Sequence, residues 1–245
     1  MNEIERFQAE VRDNIAGLRA DADVQALSRI WVREIARHRY AYNFSWMGRP
    51  AIQFPQDMIG VQELVWRIRP DLIIETGIAH GGSLVYSASL LQLLGGDGIV
   101  VGVDVDIRAH NRVAIEQHPM AGRIRMIQGS SIDPAVVEQV REHARGRASV
   151  LVMLDSNHTH EHVLAELRAY APLVTPDSYI VVFDTLIEDM PADLIQDRPW
   201  GPGNNPKTAV HAYLAEDDRF AIDRDMEAKL LITVAPDGWL RRVKT

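Results

Sequence analysis

The stretch Asp71–Ser83, DLIIETGIAHGGS, constrains the fold of this chain more than any other segment. Its short apolar run Leu72-Ile73-Ile74 is β-branched and too brief for a buried helix, whereas Ser83–Leu94 carries apolar residues at helical spacing. A strand therefore runs into a glycine-rich turn and then a helix, with an acid, Glu75, at the end of the strand. Gly77, Gly81 and Gly82 permit a left-handed backbone and close approach to a ligand, and the helix that follows turns its first amide groups toward that ligand. In open α/β sheets this is the edge at which ligands bind.

The alternation continues along the chain. Strands are predicted near 71–75, 98–104, 123–128, 148–154 and 178–184, each followed by a helical pattern or a loop, which predicts a doubly wound, mostly parallel α/β sheet. Phe220–Ile222 and Leu230–Val234 are candidates for the final strands, and Pro236-Asp237-Gly238 is a turn into Trp239–Val243. Upstream, residues 2–39 show apolar positions at helical spacing with a break at Asp21–Asp23, so two helices precede the core. Tyr40–Met58 reads as an ordered loop and Ile59–Ile68 as a further helix. We divide the chain into an N-terminal helical segment, 1–58, and a single core unit, 59–245.

Composition narrows the function classes. With 26 Lys and Arg against 34 Asp and Glu, the net charge of −8 argues against nucleic acid as a partner, because such a footprint needs a basic face. The absence of cysteine excludes disulfide and thiolate chemistry and is compatible with a cytoplasmic location. The charged start MNEIERFQAEVRDN lacks the apolar run of a signal peptide or membrane anchor.

Two nucleotide cofactors compete for the glycine turn. The dinucleotide fingerprint GxGxxG is absent. A carboxylate followed by Thr76-Gly77 suits a cationic amino-acid moiety better than a pyrophosphate, which favours S-adenosylmethionine, with Glu75, Thr76, Gly77, Gly81, Gly82 and Ser83 as its cradle. Asp104, ending the second strand, is placed for ribose hydroxyls, with Asp106 its near rival. Ser130 and Ser131, after the third strand, lie where the adenine edge is expected, although serines are also ordinary turn formers.

The fourth strand delivers Asp155-Ser156-Asn157-His158-Thr159-His160 to the same edge, and the fifth delivers Asp184. An imidazole with an ordinary pKa suits removal of a hydroxyl proton, so His158 is the candidate base and Asp155 its catalytic neighbour. Asp155 and Asp184 are candidate ligands for a hard divalent cation such as Mg²⁺, which would lower the pKa of a bound hydroxyl. His160 is assigned to the acceptor side and His162 to the protein surface. Trp200, opening the turn-rich Gly201–Pro206 loop, reads as part of a lid over a flat acceptor. Trp46 and Tyr42 form the opposite candidate wall, with Gln56 or Asp57 reaching toward the methionine end.

YNFSWMGRPAIQFPQDM from Tyr42, PDLIIETGIAHGGSLVYSAS, GVDVDIR, LDSNHTHEHVLAEL, Asp184-Thr185 and DRPWGPGNNPKTAV together resemble the cephalosporin hydroxylase family, from about Tyr42 to Val210. That resemblance implies a seven-stranded, Rossmann-like class I S-adenosylmethionine-dependent methyltransferase fold, and a family that includes rhamnosyl and macrolide-sugar O-methyltransferases. It implies a sugar or natural-product acceptor. The length and apolar content of the two N-terminal helices predict that they pack against a second subunit, making a homo-oligomer. The family's first metal aspartate falls on Asp155, its base histidine on His158, and its closing Glu-Asp pair on Phe183 and Asp184. Phe183 thus removes one acidic ligand. A water, Glu188 or Asn157 would have to fill the position, or the member works without metal. An oxygenase, as the family's traditional name suggests, and a non-catalytic cofactor-binding protein are the alternative functions.

Overall fold

The computed structural model describes residues 1–244. Seven strands form one sheet: β1 (Leu72–Thr76), β2 (Ile99–Asp104), β3 (Ile124–Gln128), β4 (Val150–Leu154), β5 (Tyr179–Val182), β6 (Phe220–Ile222) and β7 (Trp239–Arg242). Their spatial order is β3-β2-β1-β4-β5-β7-β6. β1 to β5 are parallel, and β7 is antiparallel to both β5 and β6. The order reverses between β1 and β4, whose register pairs Glu75 with Met153 and Thr76 with Leu154. That switch point opens a crevice at the carboxyl ends of the strands.

Both faces of the sheet are covered, which is why the central strands read as unbroken apolar runs. Ile73, Val100, Leu151 and Val181 pack with α3 (Pro55–Ile68), α4 (Gly82–Leu94) and α5 (Ala109–Glu116) on one side. Leu72, Ile74, Val101, Val152 and Ile180 pack on the other with α6 (Pro134–Ala144), α7 (His160–Tyr170) and α8 (Pro206–Glu216). The two-residue period of a strand assigns Glu75 to the α4 side, with Ile73, and Thr76 to the opposite side, with Ile74.

Two local expectations are corrected. Leu230–Val234 is not a strand: α9 (Arg224–Leu230) ends there and the chain turns through Leu231 at φ 58°. The edge of β5 is already taken by β7, so no ladder remains for this segment, and the Val234 amide donates to Asp57 instead, at 2.9 Å. Tyr40–Met58 also holds more structure than a loop. It contains a 3-10 turn (Tyr40–Asn43), a short hairpin pairing Ser45–Trp46 with Arg49–Pro50, and the first turn of α3, which starts at Pro55. Proline at the first helical position is preorganised for such a start.

The predicted N-terminal helices are α1 (Glu3–Ala20) and α2 (Ala22–Ala36). α1 packs on α9 and α2 but buries none of its residues fully. No helix among the described residues is long and apolar enough to cross a membrane.

Candidate active site

The carboxyl ends of β1, β2 and β4 surround a cavity of about 410 Å³ lined by Gly77, Asp104, Ser130, Ser131, Asp155, Asn157 and His162, among others. A narrower extension runs between the hairpin and the start of α4, past Gln53, Gly77, Gly82, Ser83 and Asp155. The glycines shape this junction by what they let approach. A Cβ on Gly77, at φ 90°, would lie 2.0 Å from the Asp155 carbonyl oxygen, and one on Gly82 would lie 2.1 Å from the Pro50 carbonyl oxygen. Gly77 thus lets the ends of β1 and β4 touch, and Gly82 seats the hairpin on α4, whose N-cap is Gly81. Both contacts are protein against protein, so these two glycines build the walls of the cleft.

Glu75 is only 2% exposed and accepts a hydrogen bond from the Ser83 hydroxyl, while its Oε2 has no partner. Burial pushes its pKa up to about 8 against the opposing pull of Ser83. Asp57, on α3, is fully buried and has one oxygen unpartnered; burial, which outweighs its hydrogen bonds to Thr233 and Val234, pushes it up to about 7. Asp155 is held well above the ordinary carboxyl range, by burial first and then by Asp184, Glu75, Glu166 and Asp57. A buried charge is costly without a partner. Here the acids crowd together and no lysine or arginine pairs with Glu75, Asp57 or Asp155 among the described residues. Such a cluster calls for a cationic ligand, and the donor atoms fit one: an ammonium or sulfonium group beside Glu75, and a divalent ion beside Asp155.

Asp104 is committed to the glycine turn. Its Oδ2 accepts from the Ile78 and Ala79 amides at 2.7 and 3.2 Å, and its Oδ1 from Asp106 at 2.9 Å. A carboxylate has further lone pairs, so Asp104 retains capacity for a ligand hydroxyl where it lines the cavity. Asp106 points to solvent, its side chain 73% exposed. Thr76 is fully buried, with its hydroxyl unpartnered on the far side of the strand from Glu75.

Asp155, His158 and Asp184 each offer a donor atom, all within 4.8 Å of one another. His158 Nε2 lies 3.2 Å from Asp184 Oδ2, and its ring meets Trp200 edge-on at 4.8 Å. Asp184 sits at φ 56°, a left-handed conformation that turns its side chain out of the strand direction, and such outliers concentrate at functional sites. Phe183, 2% exposed, is part of the core and faces Trp239 at 6.4 Å. The two side chains named as substitutes for the missing acid are engaged elsewhere. Glu188 accepts from the Gly203 amide at 2.8 Å and from the Asn205 side chain; Asn157 Oδ1 accepts from the Thr159 amide at 2.9 Å and hydroxyl at 2.8 Å. Neither therefore replaces the missing acid, and Asp155 and Asp184 remain the two carboxylates at this edge, with the His158 imidazole beside them.

Four assignments change. The Trp46 indole donates to Ser89 at 3.0 Å and packs edge-on against Tyr86 at 4.9 Å, so it fastens the hairpin to α4 and does not line the cleft. His160 Nδ1 lies 2.8 Å from the Thr208 hydroxyl, and its amide donates to Asn204 at 2.9 Å, tying α7 to α8. The loop after Trp200 is braced, with Gly201 and Asn204 exchanging amide bonds at 3.0 and 2.9 Å and Asn205 capping α8. It is a fixed wall where a lid was expected. His162, in contrast, is not on the surface: it lines the cavity and lies 3.0 Å from the Ser131 hydroxyl. Its spacing with Glu166 and Tyr170, four residues apart each time, was the signal that they share one face of α7.

The profile of the rhamnosyl O-methyltransferase/CmcI family matches residues 38–243. A rhamnosyl O-methyltransferase of Mycobacterium tuberculosis is 33% identical over 217 residues, covering 84% of this chain and 83% of that protein. One of Mycobacterium leprae is 30% identical over 213 residues, covering 84% and 88%. Two solved structures share the fold: CmcI-N160 in its apo form, at TM-score 0.58 and 21% identity over 83% of this chain and 78% of that one, and CmcI-D160 with Mg and SAM, at 0.57 and 22% over the same shares. This chain belongs to the rhamnosyl O-methyltransferase/CmcI family.

Proposed function

We propose that this protein is an S-adenosylmethionine-dependent O-methyltransferase whose acceptor is a hydroxyl of a sugar or of a glycosylated natural product. The observation that carries the reading is the buried Glu75 beside the glycine turn, one of whose oxygens has no partner, at the head of a cleft where Asp57 and Asp155 also have no lysine or arginine beside them among the described residues. The relatives named rhamnosyl O-methyltransferase support the acceptor class, and the CmcI structure holding Mg and SAM supports the donor and the ion.

S-adenosylmethionine supplies an electrophilic methyl group on a sulfonium. The chain's own residues bind and align. Glu75 and the Gly77–Ser83 turn hold the amino-acid end, and Asp104, Ser130 and Ser131 hold the nucleoside. His158, steadied by Asp184 and Trp200, takes the acceptor's proton as its oxygen bonds to the methyl carbon. Asp155 and Asp184 would hold a divalent ion, which would make that hydroxyl more acidic. Alignment of two bound partners supplies much of the rate.

Purified protein incubated with S-adenosylmethionine and rhamnosyl acceptors is expected to form S-adenosylhomocysteine and a methyl ether in equal amounts. Turnover of 2-oxoglutarate with iron would instead identify an oxygenase. Donor binding with no product on any glycosylated acceptor would identify a binding protein.

The reading includes a homo-oligomer. Ile4 and Phe7 on α1 are 69% and 64% exposed, and Leu27, Ile30 and Trp31 on α2 are also exposed, an apolar face that a second copy would cover. Sedimentation is expected to give a mass above the 27.5 kDa of one chain; a single species at that mass would refute it.

A further inference from the structure

His162 connects the two walls of the larger cavity. Its Nε2 lies 3.0 Å from the hydroxyl of Ser131, in the turn after β3, and 3.3 Å from that of Ser156, in the turn after β4. Behind it, Glu166 is fully buried; its Oε1 accepts from Ser156 at 2.7 Å and lies 3.6 Å from His162 Nε2, and its Oε2 has no partner. A glutamate is almost never fully buried unless paired, and the basic side chain that approaches it is His162. One turn further along α7, the Tyr170 hydroxyl donates to the Ser131 carbonyl at 2.7 Å. Residues 162, 166 and 170 thus present one face of α7 to the turn that carries Ser130 and Ser131.

We infer that His162, backed by Glu166 and Tyr170, is a positioning residue for the purine nucleoside end of the donor, holding the turns after β3 and β4 at the separation that nucleoside needs. The inference rests on the reading that this cavity receives S-adenosylmethionine. Removal of the imidazole leaves Ser131 and Ser156 unbridged and the Glu166 carboxylate without the one basic side chain that approaches it among the described residues, so the cavity loses its fixed width. The amino-acid end, held at Glu75, is unaffected.

Calorimetric titration with two probes separates the ends: S-adenosylhomocysteine, which has both, and 5′-methylthioadenosine, which has the nucleoside but no amino acid. His162→Ala is expected to weaken both probes about three- to tenfold, the size of one lost hydrogen bond between neutral groups. Glu75→Gln is expected to weaken S-adenosylhomocysteine alone. His162→Asn, which can still bridge a hydroxyl, is expected to recover part of the loss, and Glu166→Gln keeps shape should the alanine variant fail to fold. Unchanged affinity for 5′-methylthioadenosine in His162→Ala and Glu166→Gln, whatever their melting temperatures, would overturn the inference. Wild-type protein that binds neither probe would overturn the donor assignment itself, and this inference with it.

Discussion

His158→Ala is expected to lower kcat about 10²–10⁴-fold, the range general-base catalysis contributes, while leaving the affinity for S-adenosylhomocysteine within a factor of about two. The split follows from placement. His158 touches Asp184 and Trp200, whereas the larger cavity is lined by Asp104, Ser130, Ser131 and His162. On the proposed reading the donor occupies that cavity, and the imidazole stands beside the acceptor, outside the donor's seat. Asp184→Asn should fall between the variant and wild type, because the amide still fills the space but no longer fixes which nitrogen carries the proton. Single-turnover rates and calorimetry on the same preparations decide the matter. A kcat unchanged in His158→Ala would exclude it as the base and leave proton removal to water or to one of the acids.

The parallel core was legible because each central strand is buried on both faces and so appears as a continuous apolar run between polar turns. Position along the chain then located the candidate site, since Glu75, Asp104, Asp155 and Asp184 all fall at strand ends. Leu230–Val234 was misread for a complementary reason: an apolar segment of strand length becomes a strand only if a neighbour's edge is free, and β7 had taken the edge of β5. Side-chain direction was the harder quantity. Trp46 and His160 sit near the cleft in sequence terms, but the hydroxyls of Ser89 and Thr208 draw them elsewhere, and neither partner is adjacent in the chain. His162 was lost to the opposite error, since a histidine in the first turn of a helix next to a polar loop resembles a solvated residue until Glu166 and Ser131 are seen behind it. Phe183 shows both limits together. Its replacement of an acid was visible in the sequence, but the commitment of Glu188 and Asn157 to other hydrogen bonds required coordinates.

Glu75→Gln should separate binding from stability in opposite directions. In the free protein burial raises the Glu75 pKa to about 8, so through most of the neutral range the carboxyl is protonated. A ligand ammonium beside its unpartnered oxygen favours the charged form, and binding below pH 8 therefore expels a proton. Affinity for S-adenosylhomocysteine should rise as pH increases toward 8, with a slope approaching about one decade per unit, and level off above it. The glutamine has no proton to release, so its slope should flatten, and its affinity at pH 8 should be about 10- to 100-fold lower. Folding shows the reverse sign. A carboxyl whose folded pKa exceeds its unfolded value binds the proton more tightly when folded, so its contribution is most favourable below the unfolded pKa and declines as pH rises from about 4.3 toward 8. The ligand-free glutamine variant escapes that decline and should melt higher than wild type at pH 8, by on the order of 2–4 °C for a chain of this size. Titrations in buffers of differing ionisation enthalpy count the released proton directly. A wild-type affinity that is flat between pH 6 and 8, with no proton released, would mean that Glu75 is not where the cation sits.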